Sequence, residues 1–202
     1  PEYRIPQANI DQDLDVLVRS KALDGRAEIL DLKDHQRALV WIDGRFDSVL
    51  EPGLYALWND LCDIRIEVVD ASTVRFNHRS TNVIARWSAV SQVFNVVAVD
   101  PGYAGVYFRD GGFVEVLQPG QYLFWKQVAK VKVFHVDLRE RMMDVAGQEI
   151  MTADKVTLRL NALVCYRVTD AFKSVSVVDD SRQAIYRDAQ LALRAVIGSY
   201  AL

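Results

Sequence analysis

One stretch of this sequence is written twice, and the duplication limits what the chain can fold into. Asp43-Gly44-Arg45-Phe46-Asp47-Ser48-Val49-Leu50-Glu51-Pro52-Gly53-Leu54-Tyr55-Ala56-Leu57-Trp58 returns 67 residues later as Asp110-Gly111-Gly112-Phe113-Val114-Glu115-Val116-Leu117-Gln118-Pro119-Gly120-Gln121-Tyr122-Leu123-Phe124-Trp125, with no gap. The aspartates, glycines, phenylalanines, Val49/Val116, Leu50/Leu117, the prolines, Tyr55/Tyr122 and Trp58/Trp125 coincide. The same offset carries Val69 onto Val136 and Asp70 onto Asp137. Matched turn formers and aromatics signal one supersecondary unit used twice.

Each copy reads as a small antiparallel sheet. An apolar run (Ala38 to Ile42; Ala104 to Phe108) meets Asp43-Gly44 or Asp110-Gly111, a pair that accepts positive φ in a tight hairpin. A return run follows (Phe46 to Leu50; Phe113 to Leu117). Pro52-Gly53 and Pro119-Gly120 then predict type II turns, proline presetting φ and glycine taking the positive φ after it. A third run closes each copy with alternating apolar residues, Ile64, Ile66 and Val68 in one and Val131 and Val133 in the other. The tyrosine and tryptophan after each Pro-Gly could form an aromatic ligand platform. Their recurrence in both copies favours core at the end of a short sheet.

Half of the 202 residues are apolar, enough for one large domain or two small ones. Net charge is −3 with no Lys/Arg block, which argues against nucleic-acid binding through phosphate neutralisation. Cys62 and Cys165 have no Cys-x-x-Cys partner and suit a reducing compartment. No run reaches the roughly 18 apolar residues of a membrane span. The chain begins at Pro1 without an initiator methionine and ends at Leu202 after a helical pattern, so it reads as a piece of a longer protein.

Taken in order, Asn9 caps an expected helix from Ile10 to about Leu23. Glu28 to Leu32 is a short strand. Ser80 to Val93 is expected to be helical, with Val83, Ile84, Trp87, Val90 and Val93 apolar. At the offset of 67 it lies opposite the first helix, so the repeated unit reads as helix plus sheet. Phe94 to Val99 matches Ala27 to Leu32. Arg139 to Val145 and Gly147 to Met151 look extended, and Val156 to Val168 alternates cleanly as the longest expected strand. Cys165 falls on its mixed face and reads as a structural thiol. Asp170 caps a short helix, and Asp179-Asp180-Ser181 opens a longer one that Gly198 stops.

The run from Gly147 to Phe172, followed by Tyr186 to Gly198, resembles the stomatin/slipin branch of the SPFH (band 7) family. The matching elements are Gln148-Glu149-Ile150, Thr152, Asp154, Val156-Thr157, Tyr166-Arg167-Val168, and the helix from Ala189 to Arg194. Gly105-Val106, Gly111, Pro119-Gly120 and Asp137-Leu138-Arg139-Glu140 fit the start of that domain. The resemblance covers about Phe94 to Leu202. It implies an α+β fold of two tandem SPFH-like modules, each a small antiparallel sheet with a flanking helix. The first would occupy residues 1–76, and the second, residues 77–202, would continue into an α/β subdomain. It further implies a noncatalytic, homo-oligomeric scaffold with no cofactor, working at the cytoplasmic face of a bacterial inner membrane. The partners implied are lipids, reached through segments outside this chain, and an NfeD-type membrane protein or membrane protease.

The residues themselves offer no catalytic constellation. His35, His78 and His135 form no metal-binding spacing. No Gly-x-Ser-x-Gly elbow or phosphate-cradling loop occurs. Glu149 and Asp154 bracket a turn before the long strand. They read either as a cation or acid/base pair, or as turn caps paired with Arg139, Arg141 or Lys155. Three readings therefore stand: an oligomeric membrane scaffold, a soluble interaction module presenting tandem sheets, and a hydrolase using Glu149, Asp154 or His135.

Overall fold

The computed structural model describes residues 27–58 and 62–201. The expected helix from Ile10 to Leu23 lies outside them. The first half holds β1 (Ala27–Leu32), β2 (Gln36–Ile42), β3 (Arg45–Leu50), β4 (Gly53–Trp58), β5 (Ile64–Asp70) and β6 (Arg75–Phe76). Two one-turn helices follow, α1 (Thr81–Ile84) and α2 (Val90–Val93). Then come β7 (Phe94–Val99), β8 (Tyr103–Arg109), β9 (Gly112–Leu117), β10 (Gly120–Trp125) and β11 (Val131–Asp137). The chain ends with β12 (Arg141–Met151), β13 (Thr157–Tyr166), α3 (Ala171–Ser176) and α4 (Ser181–Gly198). The architecture is α+β and dominated by antiparallel pairs.

Strands β7 to β11 begin and end 67 residues after β1 to β5, one for one. Both copies build a three-stranded sheet, in the order β3-β2-β5 and β9-β8-β11. The register irregularity recurs as well, between Val40 and Trp41 and between Tyr107 and Phe108. The Asp-Gly hairpins form as the sequence predicts. Asp43 and Gly44 have φ of 49° and 75°, and Asp110 and Gly111 have 51° and 85°. Both central positions are therefore left-handed, as a two-residue hairpin that follows strand twist requires.

The Pro-Gly reading needs correction. Gly53 and Gly120 have φ of 151° and 157°, far from the roughly +80° of a type II turn. Each glycine instead opens a fourth strand, β4 or β10. In the first copy β4 pairs antiparallel with β1, from Leu32↔Gly53 to Ala27↔Trp58. In the second, β10 lies between β6 and β7. The residues after Pro-Gly are thus strand residues, and Trp125 is core as expected, 2 % exposed.

The chain divides into two compact units. One comprises residues up to Val96 with Tyr122–Lys130, and the other Val97–Gln121 with residues from Val131 on. The first unit buries Leu39, Ile84 and Leu123 completely, among a web of rings. Trp125 lies 4.3 Å from Phe94 and 5.2 Å from Phe76, and Phe46 meets Trp41 and Trp87 edge-on at 5.4 and 5.5 Å. Such rings contribute large buried areas and favour tilted or edge contacts. The expected helix from Ser80 to Val93 is two separate turns, and Val83 is exposed. Ser80 makes no side-chain cap bond there, and β-branched Thr81, Val83 and Ile84 crowd the turn, so a helix does not propagate.

The second unit packs Ala104, Val106, Val136 and Ala171 together, with Phe108, Phe134 and Phe172 against them. Its remaining part is the β12–β13 hairpin with α4 beside β12. The two extended segments expected before the turn form one strand, β12, which is the longest among the described residues. A register shift between Val145 and Gln148 accommodates Gly147, at φ 68°.

Candidate functional site

Of the residues carrying the sequence resemblance, Gln148 to Thr157 lie at the β12–β13 turn and Arg194 on the helix beside it, while Tyr166 lies at the other end of β13. Gln148 is buried, and its Oε1 accepts from Arg194 Nη2 at 3.3 Å, tying β12 to α4. Ile150 is buried beside it in the strand. Thr152, 5 % exposed, donates its hydroxyl to Asp154 and accepts from the Val156 N–H at 3.1 Å. Lys155 closes this turn with φ of 68°. Ala153 N donates to Tyr200 O at 2.9 Å, fixing the turn to the chain beyond α4. A buried hydroxyl with both partners met rigidifies a turn. Asp154 thus takes part in closing this turn.

Glu149, Thr157 and Arg167 are exposed, and Tyr166 stands opposite Arg141 in the ladder. Cys165 is exposed too, which removes its expected place as a structural thiol. Strand β13 alternates as predicted: Leu158, Leu160, Ala162, Val164 and Tyr166 are half-buried, and the residues between them exposed. On the outer face Met142 and Leu163 are 70 % and 69 % exposed, and on α4 Leu191 is 62 % exposed.

The arginines expected near Glu149 and Asp154 go elsewhere. Arg139 and Arg141 both grip Asp137, at the end of β11. Arg139 donates Nε to Oδ1 at 2.9 Å and Nη2 to Oδ2 at 2.8 Å; Arg141 donates Nη2 to Oδ2 at 2.6 Å. The Asp137 side chain is 7 % exposed. Hydrogen bonds from Arg139, then Arg141, hold its carboxyl well below the usual carboxylate range, and Arg139 is raised in turn. Gly102, at φ 85°, makes room for this: a Cβ there would stand 3.0 Å from Arg139 Cδ. Arg139 also lies over the Tyr103 ring at 4.9 Å.

His35 and His135 are exposed. His78 Nε2 stands 2.9 Å from Glu67 Oε1, and its Nδ1 accepts from Ser80 N, so Nε2 is the donor. Among the described residues, no three His, Cys, Asp or Glu side chains come together as a metal site. No helix of the described residues is long and apolar enough to cross a membrane.

The second unit thus combines a capped hairpin tied to α4 with several exposed apolar side chains. Residues 97–202 match the SPFH domain / Band 7 family, so the chain belongs to that family. Its relatives include a stomatin homologue of Pyrococcus horikoshii, 39 % identical over 93 residues, which are 46 % of this chain and 34 % of that protein. A stomatin-like protein of Caenorhabditis elegans is 35 % identical over 95 residues, 47 % of this chain and 29 % of its own. A protein of Methanocaldococcus jannaschii is 37 % identical over 108 residues, 53 % of each chain. The chain thus spans between about a third and a half of these relatives' length. Proteins of this family are generally not enzymes.

Proposed function

We propose that this chain is part of a membrane-associated, self-assembling scaffold of the stomatin/slipin type. It organises membrane microdomains and regulates a membrane partner, an NfeD-type protein or a membrane protease. The observation that carries the reading is the SPFH match over residues 97–202 together with stomatin relatives. The exposed Met142, Leu163 and Leu191 support it, because burying each large apolar side chain in a subunit contact is favourable by about 1.5–3 kcal/mol. Both outer edges of the β12–β13 pair lack a strand partner among the described residues, which adds backbone groups able to pair with a neighbouring chain. The N-terminal copy of the sheet is read as a second module of the same kind, widening the surface offered to partners.

The test is the mass of the protein expressed from its complete reading frame, measured in detergent, with vesicle co-sedimentation alongside. The expected result is a multi-subunit assembly that sediments with vesicles. Leu163→Asp should shift it toward smaller species, because it places a charge in the contact. A monomer or dimer that stays in the supernatant would overturn the scaffold reading and leave a soluble interaction module.

A further inference from the structure

We infer that the second unit carries an oxyanion site, taking a phosphate group, in the cleft beside Asp137. The cleft encloses about 230 Å³ and is lined by Tyr103, Asp137, Arg139, Arg141, Tyr166 and Arg182, among others. Its size suits a phosphate group and falls below the roughly 300–1,000 Å³ of pockets for larger ligands. Three guanidiniums face one carboxylate there, so the lining is cationic.

The hydrogen bonds leave the right atoms unused. Asp137 takes Nε and Nη2 of both Arg139 and Arg141. Arg141 also hydrogen-bonds Tyr166. Among the described residues, Nη1 of Arg139 has no hydrogen-bond partner and Arg182 forms no ion pair. The Tyr103 oxygen accepts from Arg139 Nη2 at 2.7 Å, which leaves its own O–H free to donate. Asp137 thus orients two guanidinium forks with donors to spare, and a fixed fork is what recognises phosphate. Arg139 and Arg141 remain 59 % and 49 % exposed, so a ligand can reach them.

The first copy of the sheet is an internal control. Asp70 occupies the position of Asp137 and accepts from Ser72 N at 2.7 Å, as Asp137 accepts from Arg139 N at 3.0 Å. The hydrogen bond of Leu138 N to Gly102 O has its counterpart in Ala71 N to His35 O. That turn forms with Ser72 and Val74 where the second copy has the two arginines. The turn itself therefore forms without guanidiniums, although Asp70 is exposed where the Asp137 side chain is 7 % exposed, and the added arginines line the second copy's cleft with donors fit for an anion. This inference does not depend on the scaffold reading.

Calorimetric titration of the 202-residue chain with inorganic phosphate and pyrophosphate tests it, with co-sedimentation on phosphatidylcholine vesicles with and without phosphatidic acid. Saturable binding is expected. Arg182→Ala should weaken it about tenfold, since hydrogen bonds to charged groups carry roughly the free energy of one such factor. Arg187→Ala, on the same helix but outside the cleft, should leave it unchanged, as should the unfolding temperature of both variants. If Arg182→Ala affects only vesicle retention, the phosphate belongs to a lipid headgroup; if it affects only the soluble anions, the source is soluble. Absence of saturable binding in every arm, or equal losses in Arg182→Ala and Arg187→Ala, overturns the site.

Discussion

Gly105 and Ala38 occupy the same position in the two copies, and swapping them tests how closely each sheet is fitted to its own residue. Gly105 lies in β8 with no positive φ, so alanine is allowed by the backbone. Replacing a strand glycine by alanine then stabilises by roughly 0.5–1 kcal/mol through chain entropy. Space opposes it. A Cβ at Gly105 would stand 3.0 Å from Val133 Cγ1, 3.0 Å from Val99 Cγ2 and 3.3 Å from Leu117 Cβ. Relaxed carbon contacts lie at about 3.5–4.0 Å. Val99 and Leu117 are 3 % and 2 % exposed, and a Cβ cannot rotate away. Overpacking of this kind costs typically about 1–3 kcal/mol, so the net effect of Gly105→Ala is a loss of about 0.5–2 kcal/mol. The reverse change, Ala38→Gly, removes a methyl group that is 0 % exposed and loosens the strand, a loss of about 1–2 kcal/mol. Both directions therefore destabilise. Urea unfolding of both variants reads the loss, and Val133→Ala combined with Gly105→Ala should restore part of it, since it removes one of the clashing methyl groups. A neutral or stabilising Gly105→Ala, with no coupling to Val133→Ala, would show that the sheet relaxes freely and refute the argument.

Trp125 Nε1 is buried without a partner, so Trp125→Phe removes an unmet donor worth about 1–3 kcal/mol while opening a small void; chemical denaturation should find it near neutral, against a loss of about 3–5 kcal/mol for Trp125→Ala. Asp180 Oδ1 accepts from Gln183 N at 3.0 Å, and Asp180→Ala should cost about 1 kcal/mol of helix capping, read as a lower unfolding temperature. Glu67 is lowered below the ordinary glutamate value, first by its hydrogen bond from His78. A depressed folded pKa contributes stability that is present above the unfolded value and lost as pH falls through the folded one. Stability measured from neutral pH downward should therefore fall through the range below about pH 4.5, and Glu67→Gln should flatten that slope.

The hairpins were legible because Asp43-Gly44 and Asp110-Gly111 demand left-handed backbone at two successive positions, and few structures other than a two-residue turn use that. The strands β4 and β10 were not. Gly53 to Trp58 shows no clean alternation, and a turn-forming dipeptide precedes it, so local chemistry argued for a turn where pairing with a distant strand decided. The segment from Ser80 to Val93 misled in the opposite way. Its apolar spacing is helical, yet the ring of Trp87 is held against Phe46, and tertiary contact overrode the spacing. The motif around Gln148 and Thr152 showed its residue types but not their bonds, because Arg194 is 46 residues away from Gln148.

The Asp137 cluster was missed for a reason that sequence could have supplied. One of the two sequence readings of Glu149 and Asp154 pairs them with Arg139, Arg141 or Lys155, because these carboxylates bracket a turn. The bend at Arg139, where Asp137 accepts from the Arg139 N–H, keeps Asp137, Arg139 and Arg141 close together through local chain alone. Local geometry thus brings the three charges together at small entropic cost, whereas reaching Asp154 requires a hairpin to close first. The offset of 67 sharpens the point. The aspartate recurs as Asp70, so it serves the turn, while the arginines occur in one copy alone and serve something else. A duplicated sequence separates in this way the residues a fold requires from those one copy acquired for its own use.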